Sequence, residues 1–227
     1  MSIICFSGLK QAGKDSSAEV LIKKHGYTRV ALADPLRELC SSVFHIPYET
    51  FLDPDKKDSE LDYRINLDFH HIDKIRSYIE DKWGFVIPYE AREEMEDYHG
   101  TEFKTPREIL QVVGTELIRN NLRDDIWIVL AFNKIREIGN KVVITDVRFD
   151  NERKAFKKAG AILCLVKRPG LEKGNHASEN MGDEDDYDVV FDNSETKNVL
   201  QSNVDMWYTI RRQEIETNME FKTSYEY

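Results

Sequence analysis

The sequence predicts an α/β fold built on a mostly parallel sheet with helices on both faces. Three observations carry that expectation. Apolar runs flanked by turn residues alternate along the chain with helical patterns, the order that parallel strands joined by crossover helices require. Gly26, Gly139 and Gly160 fall just after three of the helical patterns, where a left-handed cap is wanted. With 227 residues the chain is long enough for one sizeable domain whose core needs no staples.

Taken in order, strands are expected at Ser2–Ser7, 28–32, 141–145, Ile162–Lys167 and 188–191. The helical patterns between and after them cover 15–25, 35–44, 68–82, 106–120, 125–138, 151–158 and 195–219. Asp34-Pro35 marks the start of the second helix. Thr105, Pro106 and Glu108 mark the fourth, with proline at the first helical position and glutamate at the third. Residues 45–104 carry no convincing strand and read as a helical insertion within a single domain spanning 1–227.

Composition narrows the class. The N-terminus enters a strand-like run without a basic leader, and no apolar stretch reaches membrane-spanning length, so a soluble cytoplasmic chain is expected. Cys5, Cys40 and Cys164 are odd in number and lie in strand-like or helical runs, which favours buried reduced thiols. A formal net charge of −10 opposes an extended nucleic-acid interface, so any phosphate is bound locally. The acidic runs at 53–60, 90–97 and 183–188 read as solvated loops or helix faces.

The first chemical signal is "GLKQAGKDSS", residues 8–17, directly behind the apolar run Ile3-Ile4-Cys5-Phe6. A loop joining a strand to a helix N-terminus turns successive N–H groups inward, and the helix dipole adds to their pull on phosphate. Gly8 and Gly13 permit the tight backbone, and Lys14 reaches the β- and γ-phosphates. The next place normally holds a hydroxyl for Mg²⁺; here it is Asp15, whose carboxylate would hold the metal directly or through water, with Ser16 and Ser17 one step on. The bland alternative is that Asp15 and Ser16 only cap the helix.

The second signal is "VVITDVRFDNE", residues 142–152. Asp146 stands at the carboxyl end of a buried-strand pattern, where ligands collect in open α/β sheets, and Arg148 faces the same way if the chain stays extended. A carboxylate there suits the water shell of a metal or a substrate hydroxyl, and the Arg suits phosphate oxygens. Equally, the two form an ion pair closing the loop before a helix capped by Asp150.

The third is "TPREILQVVGTELIRNN", residues 105–121. Arg107, Gln111, Gly114 and Thr115 recur on one α-helical stripe, beside an apolar stripe of Leu110, Val113 and Leu117. A mid-helix glycine costs about 1 kcal/mol against alanine, so something packs close to Gly114: a neighbouring helix, or a base or sugar. Trp127 reads as a wall of that pocket or as an ordinary core residue. Arg37 and Arg64 are solvated charges unless they converge on a phosphate. His70-His71 lacks a completing ligand set, and "HASE" at 176–179 reads as a simple cap after a loop.

Together and in order, "FSGLKQAGKDSS", "ALADPLRE", "DYRINL", "PREILQVVGTELIRNN" with "DDIWI", "VVITDVRFDNE", "GAILCLVKRPG" and "HASE" resemble the phage deoxynucleoside monophosphate kinases. The loop variant with Asp15 is part of that family's pattern. The resemblance implies a P-loop kinase fold, a mostly parallel sheet with a helical insertion forming the acceptor-binding lid, and transfer of the ATP γ-phosphoryl group to a deoxynucleoside 5′-monophosphate. Carried over position by position, it places the ATP phosphates at Gly13, Lys14, Asp15, Ser16 and Ser17, with Gly8 opening the loop. It places the nucleotide acceptor near Lys10, Gln11, Leu36, Arg37, Arg64, Arg107, Gln111, Gly114, Thr115 and Trp127, with Asp146, Arg148 and Glu152 lining the same cleft. Mg²⁺ would be held at Asp15, Ser16 or Asp146, and Lys14, Arg37, Arg64, Arg107 and Arg148 would stabilise the transferring phosphoryl group.

Gln11 departs from the pattern, standing where a basic residue is expected. Residues 51–103 and those after 194 match poorly, so base preference stays open. The partner expected is a small dNMP, with no membrane and no extended nucleic acid; a homodimer is compatible with the sequence. Two rivals stand: a P-loop kinase of another small phosphate acceptor or of modified bases in DNA, and a non-catalytic nucleotide-binding regulatory protein.

Overall fold

The computed structural model describes residues 1–171 and 182–217. In chain order the elements are β1 (Ser2–Ser7), α1 (Lys14–His25), β2 (Thr28–Val30), α2 (Asp34–Phe44), α3 (Tyr48–Leu52), α4 (Pro54–Asp58), β3 (Ile65–Asn66), α5 (Phe69–Trp83), α6 (Tyr89–Glu96) and β4 (Glu102–Phe103). There follow α7 (Pro106–Gln111), a π-helical stretch (Val112–Asn120), α8 (Ile126–Ile138), β5 (Lys141–Ile144), α9 (Asp150–Lys158), β6 (Ile162–Lys167), a 3-10 turn (Glu184–Asp186), β7 (Val189–Asp192) and α10 (Lys197–Thr217). The chain divides into two compact units, Met1–Leu32 with Ala131–Tyr227, and Ala33–Leu130.

The first unit is the α/β body. Its five strands run in the order β2-β5-β1-β6-β7, and every neighbouring pair is parallel. All six residues of β1 are buried, as a central strand covered on both faces requires. The register Ile4↔Val143 and Phe6↔Cys164 lines up one apolar face, and α1 and α10 cover it with Ala18, Leu21, Leu200, Val204 and Tyr208. By the alternation of the pleat, Ile3 and Cys5 point to the other face. In the same unit the rings of Phe132 on α8 and Phe156 on α9 pack 5.0 Å apart.

At the amino ends of the strands the sheet is tied off by a polar network. Glu216 Oε1 accepts from Lys141 Nζ at 2.7 Å, Tyr208 Oη at 3.0 Å and Arg212 Nε at 2.9 Å. The Lys141 ammonium, with Tyr208 and Arg212 assisting against desolvation, lowers the Glu216 carboxyl from 4.5 to about 2. Nearby, Ser2 Oγ and Tyr27 Oη lie 2.6 Å apart. The opposite, carboxyl ends of the strands are left to the loops, the side on which open α/β sheets bind ligands.

The second unit is mainly helical. Its core gathers Leu39, Cys40, Phe51, Ile72, Ile75, Ile79, Phe103 and Ile109, all fully buried. α5 opens with Asp68 accepting from the His71 amide at 2.8 Å, while the His71 ring stacks on Phe44 at 5.0 Å. Arg76 is buried and donates to the Arg92 carbonyl, to Glu96 at 3.0 Å and to Asp73 at 3.2 Å, tying α5 to α6.

Three expectations are corrected. The span 45–104 contains an antiparallel pair, β3 with β4 (Ile65↔Phe103, Asn66↔Glu102), because two-residue strands are too short to leave a periodic signature. The single helix expected over 106–120 is α-helical only to Gln111 and then widens to i→i+5 bonding. The expected α-helical stripe therefore breaks: Gln111 is exposed, Gly114 buried and Thr115 half-buried. Third, Asp150 is the first residue of α9 rather than its cap; Glu152 closes that turn by accepting from the amides of Arg148 and Phe149 at 2.8 and 3.0 Å.

All three cysteines are buried and unpaired. Burial pushes each thiol well above its ordinary value. No helix among the described residues is long and apolar enough to cross a membrane.

Candidate functional site

β1 ends at Ser7, whose hydroxyl donates to the Val147 carbonyl at 2.9 Å and so fixes the root of the loop that follows. Gly8 has φ 148°, and a Cβ there would stand 2.5 Å from the Val166 carbonyl oxygen of β6. Only glycine fits. Ala12 N donates to the Leu9 carbonyl at 3.1 Å, closing a turn across Gln11, which takes the left-handed φ of 65°. A side chain held there costs on the order of 1 kcal/mol, a strain that recurs at ligand sites.

Gly13 (φ 111°) is the N-cap of α1 and has no side chain to close the helix end. Asp15 and Ser16 follow Lys14 inside the first turn of α1, and the N-cap position itself carries no side-chain cap bond. The Ser17 amide and hydroxyl both point back to the Gly13 carbonyl, at 2.9 and 3.1 Å. Lys14 is buried, and its Nζ donates to the carbonyls of Gly8 and Leu9, each at 2.7 Å. Because C=O and N–H point in opposite directions in a trans peptide, these bonds turn the amides of Leu9 and Lys10 the other way. The loop thus combines oriented amides, a helix N-terminus and one ammonium, the elements of an anion cradle.

Beside it opens a cleft of about 380 Å³, lined by Gln11, Gly13, Lys14, Asp15 and Ser16 on the loop side. That volume is within the range of small-ligand pockets. The facing wall is Arg168 after β6 and the turn between β7 and α10, with Asn193, Glu195, Thr196 and Lys197. None of these was nominated by sequence. The only local signs are a turn in which Ser194 N donates to Asp192 at 2.9 Å and the Thr196 start of α10, both common features. Lys10 and Gln11 are exposed at the loop tip.

Asp146 stands just past β5, and its Oδ1 accepts from the Leu32 amide at 3.0 Å. Arg148, two residues on, is exposed, whereas Glu152 is 3% exposed and committed to the turn of α9. "HASE" at 176–179 lies outside the described residues.

The remaining nominated residues belong to the second unit. Leu36 on α2 meets the π-helical stretch: a Cβ on Gly114 would stand 2.4 Å from Leu36 Cδ2. A neighbouring helix therefore takes the room that glycine leaves. Trp127 is 5% exposed and makes an edge contact with Trp83 at 5.6 Å, a core position. The three arginines each hold a carboxylate of their own unit. Arg37 Nη1 donates to Asp34 Oδ1, which also accepts from Tyr48 Oη at 3.1 Å. Arg64 pairs with Glu102, and Arg107 grips Asp58 through Nε and Nη2. Such two-pronged pairing displays the geometry with which guanidinium takes phosphate.

A sequence profile of the family "Deoxynucleotide monophosphate kinase" matches residues 70–204. The deoxynucleotide monophosphate kinase of Enterobacteria phage T4 is 23% identical over 234 residues, covering 90% of this chain and 97% of the relative. The deoxynucleoside-5′-monophosphate kinase of Escherichia phage T5 is 28% identical over 181 residues, covering 69% and 72%. A protein of Acanthamoeba polyphaga mimivirus is 28% identical over 211 residues, covering 86% of this chain and 90% of its own. With a glycine-lysine anion cradle at the carboxyl edge of a parallel sheet and a profile match over more than half its length, the chain belongs to the deoxynucleotide monophosphate kinase family.

Proposed function

We propose that this chain transfers the γ-phosphoryl group of ATP to deoxynucleoside 5′-monophosphates, giving the diphosphates used for DNA synthesis. The observation that carries the reading is the Lys14-bearing loop at the N-terminus of α1, open to a cleft of about 380 Å³. Family membership and the names of the phage relatives support the acceptor class. In this reading the loop amides and Lys14 hold the donor's β- and γ-phosphates, and the cleft toward Arg168 and Thr196 takes the rest of the donor. Arg37, Arg64 and Arg107 hold the acceptor phosphate, and Arg148 neutralises the transferring group. Residues 45–104 form the acceptor-binding lid of a single kinase domain. No side-chain nucleophile is required, because the acceptor phosphate attacks in line and catalysis is positioning and charge neutralisation.

Mg²⁺ needs only one or two protein ligands when nucleotide phosphates complete its shell. Asp15 and Ser16 line the cleft beside Lys14, and Asp146 stands at the carboxyl end of β5, so the residues fit such an ion. Among the described residues no cluster of three or more His, Cys, Asp or Glu side chains is set to hold a metal. When bound, the ion would supply neutralisation of phosphate charge. In this reading the protein works in the cytoplasm, that of the host cell if it is phage-encoded, and its net charge of −10 suits free nucleotides better than an extended nucleic-acid interface.

A thin-layer assay with labelled ATP against each dNMP and rNMP tests the reading. Labelled dNDP formed with at least one dNMP supports it. Transfer to none of them, with or without duplex DNA as acceptor, overturns it.

A further inference from the structure

Asn193 touches the donor loop from 181 residues away. Its side chain is buried, and Nδ2 donates to the Ala12 carbonyl at 2.8 Å. A carbonyl needs a donor, so the amide can face it only nitrogen first. The contact exists because residue 13 is glycine: a Cβ there would lie 2.8 Å from Asn193 Nδ2 and 2.8 Å from Leu200 Cδ2. Asn193 is itself anchored, its backbone amide donating to the Lys167 carbonyl at the end of β6 at 2.7 Å. Eight residues later Gln201 Nε2 donates to the Ser16 carbonyl at 3.1 Å and to Glu19 at 3.0 Å, so the start of α10 grips the first turn of α1 as well.

We propose that Asn193 is a positioning residue of the donor loop. Its amide holds the Ala12–Gly13 peptide in the orientation that aims the Gly13 N–H at phosphate. The argument is stereochemical: the peptide is planar and trans, so pinning the Ala12 oxygen toward Asn193 forces the Gly13 N–H to the opposite side. Gly13 has no Cβ to resist rotation, and without the pin that peptide samples several orientations. Preorganised amides bind an anion better than amides that must first be ordered. The inference rests on the donor-loop reading and adds a residue that acts on the donor alone, through the backbone.

The test uses the full chain with Asn193→Ala and Asn193→Leu, the second keeping the branched outline of the side chain while removing the donor. Inorganic tripolyphosphate, which carries no base or sugar, is titrated by calorimetry, and KM for MgATP and for the dNMP are measured alongside. Both variants are expected to lose about tenfold in tripolyphosphate affinity. They should raise KM for MgATP by more than any fall in kcat, and leave KM for the dNMP within about twofold. Tripolyphosphate binding within about twofold of the unaltered chain in either variant overturns the inference and leaves the donor loop standing. Equal losses toward donor and acceptor overturn it too, because they mark a general structural role. If the unaltered chain itself binds no tripolyphosphate, the donor-loop reading falls and this inference with it.

Discussion

Lys14 Nζ lies 2.7 Å from the carbonyl oxygen of Gly8, six residues before it at the mouth of the loop. The ammonium spans the loop it follows, so one side chain both shapes the cradle and supplies its charge. Replacing it removes two hydrogen bonds, at Gly8 and Leu9, together with the charge nearest the expected γ-phosphate. Lys14→Ala should lower phosphoryl transfer by about 10³-fold or more while costing only about 1–2 kcal/mol of stability. A coupled ADP assay at saturating MgATP, with a thermal melt of the same sample, reads both. Near-normal transfer to every dNMP would show that the donor is held elsewhere.

Arg37 is expected to act on the acceptor, and Asp34 holds its guanidinium ready on the first turn of α2. A hydrogen bond to a charged group is worth about 1.5–3 kcal/mol, or roughly tenfold to a hundredfold in binding. Arg37→Ala should raise KM for the dNMP by that factor and leave KM for MgATP unchanged. Initial rates with each substrate varied in turn provide the check; a change confined to the donor would contradict the assignment.

Gly114 and Leu36 form a close backbone-to-side-chain contact inside the second unit. Alanine in a helix gains about 1 kcal/mol over glycine, whereas overfilling a packed site costs about 1–3 kcal/mol. With the added Cβ only 2.4 Å from Leu36 Cδ2, crowding wins, and Gly114→Ala should destabilise by about 1 kcal/mol. In the Leu36→Ala background the same change should become neutral or stabilising. Urea unfolding of the four proteins in a double-mutant cycle measures the coupling.

Glu216 provides a pH-dependent test of the base of the sheet. Its carboxyl is held near 2 in the folded chain against an ordinary 4.5, chiefly by Lys141. A depressed carboxylate adds stability above its unfolded value and loses it as pH falls through the folded one. Glu216 is partly solvated, so screening limits the effect to a few tenths to about 1 kcal/mol. Glu216→Gln should therefore melt below the unaltered chain at pH 7, with the gap narrowing from about 4.5 and closing near 2. A gap independent of pH would mean that the carboxylate charge contributes nothing.

Much of the α/β body was legible because its signals are local. β1 and β6 agree with expectation residue for residue, since long apolar runs bounded by turns leave few other placements. The loop was legible for the same reason: strand, glycines, lysine and helix are contiguous. The second unit was legible only in its longer helices, α2 and α5, and in the Thr105-capped start of α7. β3 and β4 have two residues each, and α3 and α4 five, all shorter than the window in which a period can be counted. The π-helical stretch was hidden because its apolar spacing also satisfies an α-helix. Arg168 and Asn193 reach the cleft beside the loop because β6 pairs with β1 and β7 with β6, and no pattern within either segment announces that destination.

The buried thiols offer a way to watch each unit open. Cys40 belongs to the second unit, Cys5 and Cys164 to adjacent strands of the first, and all three are shielded in the native chain. An alkylating reagent can reach them only after local or global unfolding. Peptide-resolved labelling rates therefore time the two halves of the molecule independently, without a dye, a tag or an engineered residue. Adding nucleotide during the labelling then reveals which half each ligand protects.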